Sequence, residues 1–162
     1  MSATPTAEAP ATRVPPFPVL FGVVAVVCMG GMTANLLAAK AQGVVDEGPR
    51  TLDEQLVGVL TFGSIGLVVC LTIGLWLAAS PARSRVGAVV LGFLAVPCVV
   101  FFFSGLPGML GATAAHLAGL TRGRTPTSGA PRVFGLIGLV LAVLNVVVVV
   151  VGVTVAWLSE LG

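Results

Sequence analysis

The sequence predicts an all-α fold: a polytopic transmembrane helix bundle with four long apolar segments, the third broken into a helical hairpin, effectively five helices. Three observations carry this prediction. The 162-residue chain is 57% hydrophobic and only 9% charged, with a mean hydropathy of +1.10, whereas a soluble domain carries about 25% charged residues. Residues 86–121 contain no Asp, Glu, Lys or Arg, and arginines stand on both sides of them, at 83 and 85 and again at 122 and 124. Three further apolar runs are each long enough to cross a bilayer core of roughly 30 Å. The length suffices for spans and short loops and leaves nothing for a soluble catalytic domain. The expected organisation is a tail, residues 1–16, followed by one transmembrane helical domain, residues 17–162.

The tail is rich in Ala, Thr and Pro, with only Glu8 and Arg13 charged. Such a segment buries too little apolar surface to offset its ordering entropy, and disorder is expected. The first span covers residues 17–39. Ala39-Lys40-Ala41 has the small-x-small look of a signal-peptidase site. The basic n-region is poor, however, and the apolar run exceeds the roughly 7–15 residues of a secretory h-region, so an uncleaved helix is expected.

Residues 40–54 form the one sizeable polar loop, with Asp46, Glu47, Asp53 and Glu54 against Lys40 and Arg50. Thr51-Leu52-Asp53-Glu54 has capping-box spacing, in which Thr51 accepts from the Glu54 amide and the Glu54 carboxylate reaches back. A second helix therefore follows over residues 55–79. It stops at Ser80-Pro81, since proline cannot continue the hydrogen-bond ladder. Trp76 near that end is placed as an interfacial anchor.

As one straight helix, residues 86–121 would be about 54 Å long, far more than the bilayer core needs. The segment must break, and Ser104-Gly105-Leu106-Pro107-Gly108 supplies the means: glycine freedom and a proline that lacks a donor. The second arm, residues 107–121, reaches only about 22 Å, which leaves a full second crossing and a re-entrant tip both open. A Gly/Pro/Ser/Thr loop, residues 122–132, then leads to a last span over residues 133–158, with Trp157 at its far end.

Orientation follows from the basic residues. With the hairpin, Arg13, Arg83, Arg85, Arg122, Arg124 and Arg132 share one face and Lys40 and Arg50 the other. This positive-inside bias predicts a multi-pass protein of the cell membrane with a cytoplasmic N-terminus and an external C-terminus.

The C-terminal half resembles a family of small bacterial membrane proteins classed as domain of unknown function 4190. The resemblance rests on Ala115-His116-Leu117-Ala118, on the arginine loop, and on Gly135-Leu136-Ile137-Gly138-Leu139-Val140-Leu141-Ala142. The family pattern has Gly where Ala115 and Ala142 stand. It implies a membrane-helix fold and supplies no activity to transfer.

Few residues invite chemistry. His116 is the only histidine, and an intramembrane ionisable group is a functional candidate by default. Its structural alternative is a neutral imidazole bonding a backbone carbonyl across the hairpin. As a metal ligand it lacks partners, because zinc sites want three or four. Ser64, among Gly63 and Gly66, is a candidate for a serine/histidine dyad. Counting nine residues from Gln55 and from Pro107 puts Ser64 and His116 alike about 13 Å below the outer interface. The Gly-x-Ser-x-Gly spacing of a nucleophile elbow is absent, and close helix packing explains the glycines. Asn35 and Asn145 are costly to face lipid and are expected to bond across helices or line a polar pathway. No span carries a carboxylate for a proton relay.

Small residues recur at four-residue spacing: Gly30, Ala34 and Ala38; Gly66, Cys70 and Gly74; Gly111, Ala115 and Gly119; Gly138 and Ala142. Such faces let helix backbones approach. Cys28, Cys70 and Cys98 form no CxxC pair and read as packing residues. Arg83, Arg85, Arg122, Arg124 and Arg132 are candidate contacts for anionic lipid headgroups. No cofactor motif or nucleic-acid surface is present, so the expected partners are the lipid bilayer and other membrane subunits or a second copy. The leading expectation is a non-catalytic accessory or interaction subunit. A small channel or transporter component is the alternative, and an intramembrane hydrolase a distant one.

Overall fold

The computed structural model describes residues 14–43 and 50–160, and every regular element among them is helical. Helix α1 is Phe17–Ala41 and α2 is Leu52–Ala78. Helix α3 is Pro81–Ala95, α4 is Leu106–Leu117 and α5 is Ala130–Glu160. Three of them, α1, α2 and α5, are long and apolar enough to cross a membrane. Between α3 and α4 runs a 3-10 segment, Pro97–Ser104, bent by 75° from α3. The disordered tail expected over residues 1–16 and the acidic pair Asp46 and Glu47 fall largely or wholly outside the described residues.

Local chemistry places the helix ends. Thr51 Oγ1 accepts from the Glu54 amide at 3.3 Å and Glu54 Oε2 accepts from the Thr51 amide at 3.0 Å, a complete capping box that starts α2. Pro81 occupies the first turn of α3, so α2 stops at Ala78 and the chain turns through two residues. Two helices loosen within their length. The ladder widens to a π turn over Ala25–Gly30 in α1 and over Cys70–Gly74 in α2.

The expected break at Ser104–Gly108 is one of two. The chain first leaves α3 at Val96-Pro97, because proline removes a ladder donor there, and only then turns through Gly105, whose φ of +77° favours glycine. The arms are correspondingly shorter than the sequence suggested. Helix α4 has 12 residues, about 18 Å.

Helix α4 is the centre of the molecule: from Ser104 to Thr121 every residue is buried except His116. The surrounding helices present narrow faces to it. On α1 these are Phe17, Phe21, Val24 and Cys28; on α2, Val59, Gly63, Gly66, Cys70 and Gly74; on α5, Gly135, Gly138, Ala142, Asn145 and Val149. Their three-and-four spacing is the seam of a close-packed bundle. A Cβ on Gly111 would stand 2.2 Å from the Gly138 carbonyl oxygen, so α4 and α5 touch backbone to backbone. Outward, only 22% of the most apolar stretch of each long helix is buried, leaving surface that needs an apolar solvent.

The ends of the described helices sort into two layers. At one end lie the starts of α1, α3 and α5, the end of α4, and Arg83, Arg85, Arg122, Arg124 and Arg132. At the other lie Lys40, which pairs with Asp53, and Arg50. The small-residue face expected at Gly30, Ala34 and Ala38 is not a packing face: Gly30 has nothing within 4 Å of a Cβ and Ala34 is exposed. The π turn just before it coincides with this change of face, and Cys28 turns inward instead.

Candidate functional site

The polar centre of the bundle is the break before α4. A helix that begins inside protein leaves its first amides without ladder partners, and each must be satisfied. Here Ser104 Oγ accepts from the Leu106 amide at 3.3 Å and donates to the Phe101 carbonyl at 2.8 Å. Pro107 has no amide hydrogen. The Gly108 amide donates to Asn145 Oδ1 at 3.1 Å, and the Met109 amide to the Gly105 carbonyl at 2.9 Å. Asn145 Nδ2 completes the set by donating to the Phe102 carbonyl at 2.7 Å. One side chain of α5 thus holds both sides of the break. Gly108 makes room for it, since a Cβ there would come within 2.7 Å of Asn145 Oδ1.

The break sits at mid-depth. Met29 and Ser104 both crowd Gly63, and Met29, Gly63 and Asn145 each lie near the middle of their helices. Between the break and the Lys40 end is a cavity of about 490 Å³. Leu36, Val59, Phe62 and Phe102 wall it, and Arg50 and Glu54 stand at the start of α2 beside it.

The structure moves His116 from its expected depth and changes its partner. Its ring stacks on Phe17, the first residue of α1, with centroids 4.4 Å apart. It therefore lies at the arginine end. Its Nδ1 pairs at 2.9 Å with Thr121 Oγ1, not with a carbonyl across the hairpin. The reason is local: Gly119 at φ +75° reverses the chain after α4 and brings Thr121 back under the imidazole. Ser64 is on the exposed face of α2. No hydrogen bond among the described residues joins Ser64 to His116, and the dyad geometry is not assembled.

Asn35 does bond across helices, accepting from Trp157 Nε1 at 2.9 Å. The two asparagines thus serve different places, Asn145 at the buried break and Asn35 near the far end of α5. Among the described residues no three His, Cys, Asp or Glu side chains group as a metal site. Cys28 and Cys70 are fully buried packing residues. Sequence reasoning missed Ser104 and Thr121 as polar partners. Ser104 stood inside the break motif, where an unpaired amide two residues on was the available signal; Thr121 gave none, because its role depends on the turn at Gly119.

The end of α4 and the start of α5 pack through small residues. A Cβ on Gly135 would meet the Ala118 methyl at 2.3 Å, and one on Gly138 the Ala114 methyl at 3.1 Å. Fold and site together define an α-helical protein with three membrane-compatible helices packed around a short buried one. Comparison with family models, curated proteins and solved structures finds no match.

Proposed function

We propose that this chain is a non-catalytic multi-pass protein of the cell membrane, an accessory or interaction subunit of a homo-oligomer or a larger membrane complex. The observation that carries the reading is α4 itself: a short helix sealed on all sides, its starting amides satisfied by Ser104, Gly105 and Asn145. Polar atoms at the centre are engaged with one another, as in a scaffold, and the surface offered outward is broad and apolar.

In this reading α3 and α4 form a re-entrant hairpin that enters and leaves at one face. Its support is the gathering of five arginines at the end where α1 begins, which makes that face cytoplasmic and leaves the end of α5 outside. The resemblance of the C-terminal half to the uncharacterised bacterial family agrees with a membrane role and adds no activity. The test is purification of the native protein in mild detergent. Stoichiometric partners or a defined oligomer are expected, and a lone monomer that passes solutes in liposomes would overturn the reading.

One observation favours a second reading, a small channel or transporter component. The cavity above the break opens beside Arg50 and Glu54 and ends at the mid-depth aromatic Phe102, and broken helices at mid-depth are where transporters bind substrate. Solute flux into proteoliposomes that is lost on filling the cavity, for example by Gly58→Trp, would select this alternative.

A further inference from the structure

Arg85 and Arg124 are far apart in sequence, yet they line one cavity of about 260 Å³ at the arginine end. Ser84, Thr125 and Ser128 contribute hydroxyls to its wall, and Leu117 an apolar side. Two of the neighbouring hydroxyls are already committed: Ser84 Oγ donates to the Leu77 carbonyl at 3.1 Å and Thr127 Oγ1 to the Ala118 carbonyl at 2.9 Å. Among the described residues no hydrogen bond or ion pair engages either guanidinium. Among the described residues no carboxylate lies at this end; Asp53 and Glu54 belong to the start of α2, at the other. The two positive charges line one cavity with no carboxylate beside them among the described residues, so an anion there is attracted by both.

The surroundings say which anion. Arg83, next to this site, lies over the Trp76 ring at 4.5 Å, an arrangement suited to a membrane interface. In line with Arg85, four, eight and eleven residues on, stand half-buried Val89 and exposed Phe93 and Val96. Their spacing aligns them with Arg85 in one apolar stripe leading away from the cavity along the helix. A free phosphate would use the cavity alone, whereas a phospholipid would use both cavity and stripe.

We propose that this cavity binds the phosphate of an anionic phospholipid of the adjacent leaflet, with Arg85 and Arg124 as paired donors and an acyl chain along Val89, Phe93 and Val96. Arginine forks suit phosphate oxygens, and two of them, one near the start of α3 and one from the loop after α4, tie those two elements together. The inference rests on the membrane reading above.

The test uses the full chain purified in a neutral detergent, titrated with phosphatidylglycerol or phosphatidylcholine in mixed micelles, with bound lipid counted by native mass spectrometry. Two double variants of equal charge are compared, Arg85→Gln with Arg124→Gln, and Arg122→Gln with Arg132→Gln. Phosphatidylglycerol should bind wild type in preference to phosphatidylcholine. The first pair should weaken it about tenfold or more, and the second pair about twofold or less, because only the first loses the paired donors. Arg85→Lys with Arg124→Lys keeps the charge and loses the forks, so it should fall between, and it serves if the glutamine pair folds poorly. Equal weakening by both glutamine pairs would mean diffuse charge attraction and would overturn the site. Millimolar inorganic phosphate displacing the lipid outright would overturn the lipid as its source. Carbonate extraction from membranes keeps the two ideas separable: a chain that resists extraction yet shows no lipid preference sinks this inference alone, and an extractable chain sinks the membrane reading beneath it.

Discussion

Asn145 Oδ1 receives the amide of Gly108 at 3.1 Å, so a side chain of the last helix performs the capping that α4 cannot obtain from its own preceding residue. Asn145 Nδ2 donates to the Phe102 carbonyl on the other side of the break. Replacement by Leu should leave the buried Gly108 amide unpaired, at a cost of about 1–3 kcal/mol, and should remove one of the two donors to the Phe102 carbonyl, which keeps the Gly105 amide. Asn145→Leu should therefore lower the melting temperature in detergent sharply, and Asn145→Asp, which keeps only the acceptor, should also destabilise. Unchanged melting for both would mean that the break is held by something else.

The contact of Gly111 with Gly138 leaves no space for a methyl group. Gly111→Ala should cost about 1–3 kcal/mol by overpacking, and Gly138→Leu or Gly111→Leu more. Val148→Leu, on an exposed face of α5, should do little, and so should Gly30→Leu. Thermal melts of these variants check the map of packing faces; a Gly30→Leu variant as damaged as Gly138→Leu would contradict it.

His116 and Thr121 should behave as a coupled pair. Thr121 is fully buried, so His116→Leu strands its hydroxyl, whereas Thr121→Val in the same chain removes the stranded group. The double variant should be less destabilised than the two single losses summed, with a coupling of about 0.5–1.5 kcal/mol. Folded yield and in vivo complementation measured side by side separate structure from mechanism. If His116→Asn and His116→Leu both fold in full yield and both abolish complementation, the imidazole has a chemical role.

Topology is open to direct labelling. In a background with Cys28, Cys70 and Cys98 replaced by Ala, cysteines at Arg83 and Ser128 should react with an impermeant maleimide from one side only, and a cysteine at Arg50 from the other. Residues 83 and 128 border the same arginine end, and residue 50 precedes α2 at the opposite end. Labelling of 83 and 128 from different sides would replace the hairpin by a single crossing.

Much of this architecture is legible in local chemistry. The capping box at Thr51 and Glu54, the stop at Ser80-Pro81 and the start of α1 at Phe17 depend on neighbours within a few residues, and they stand where the sequence puts them. The turn at Gly105 was equally readable. Pro97 was not, because a proline within an apolar run either kinks a helix or ends it; in the structure the chain bends by 75° there and Phe101 stacks on Phe62, 4.2 Å between centroids.

The sequence by itself determined the solvent this chain needs, the ends of its long helices and the sorting of its arginines, because hydropathy, capping and charge are properties of short stretches. Only the tertiary structure decided which small-residue faces meet, that Asn145 holds the break, and that His116 answers to Thr121 and Phe17. Burial among apolar side chains distinguishes poorly between one apolar face and another when the solvent is also apolar. The choice falls to backbone approach and to the pairing of every buried polar atom, and both require residues distant in sequence to be in place together.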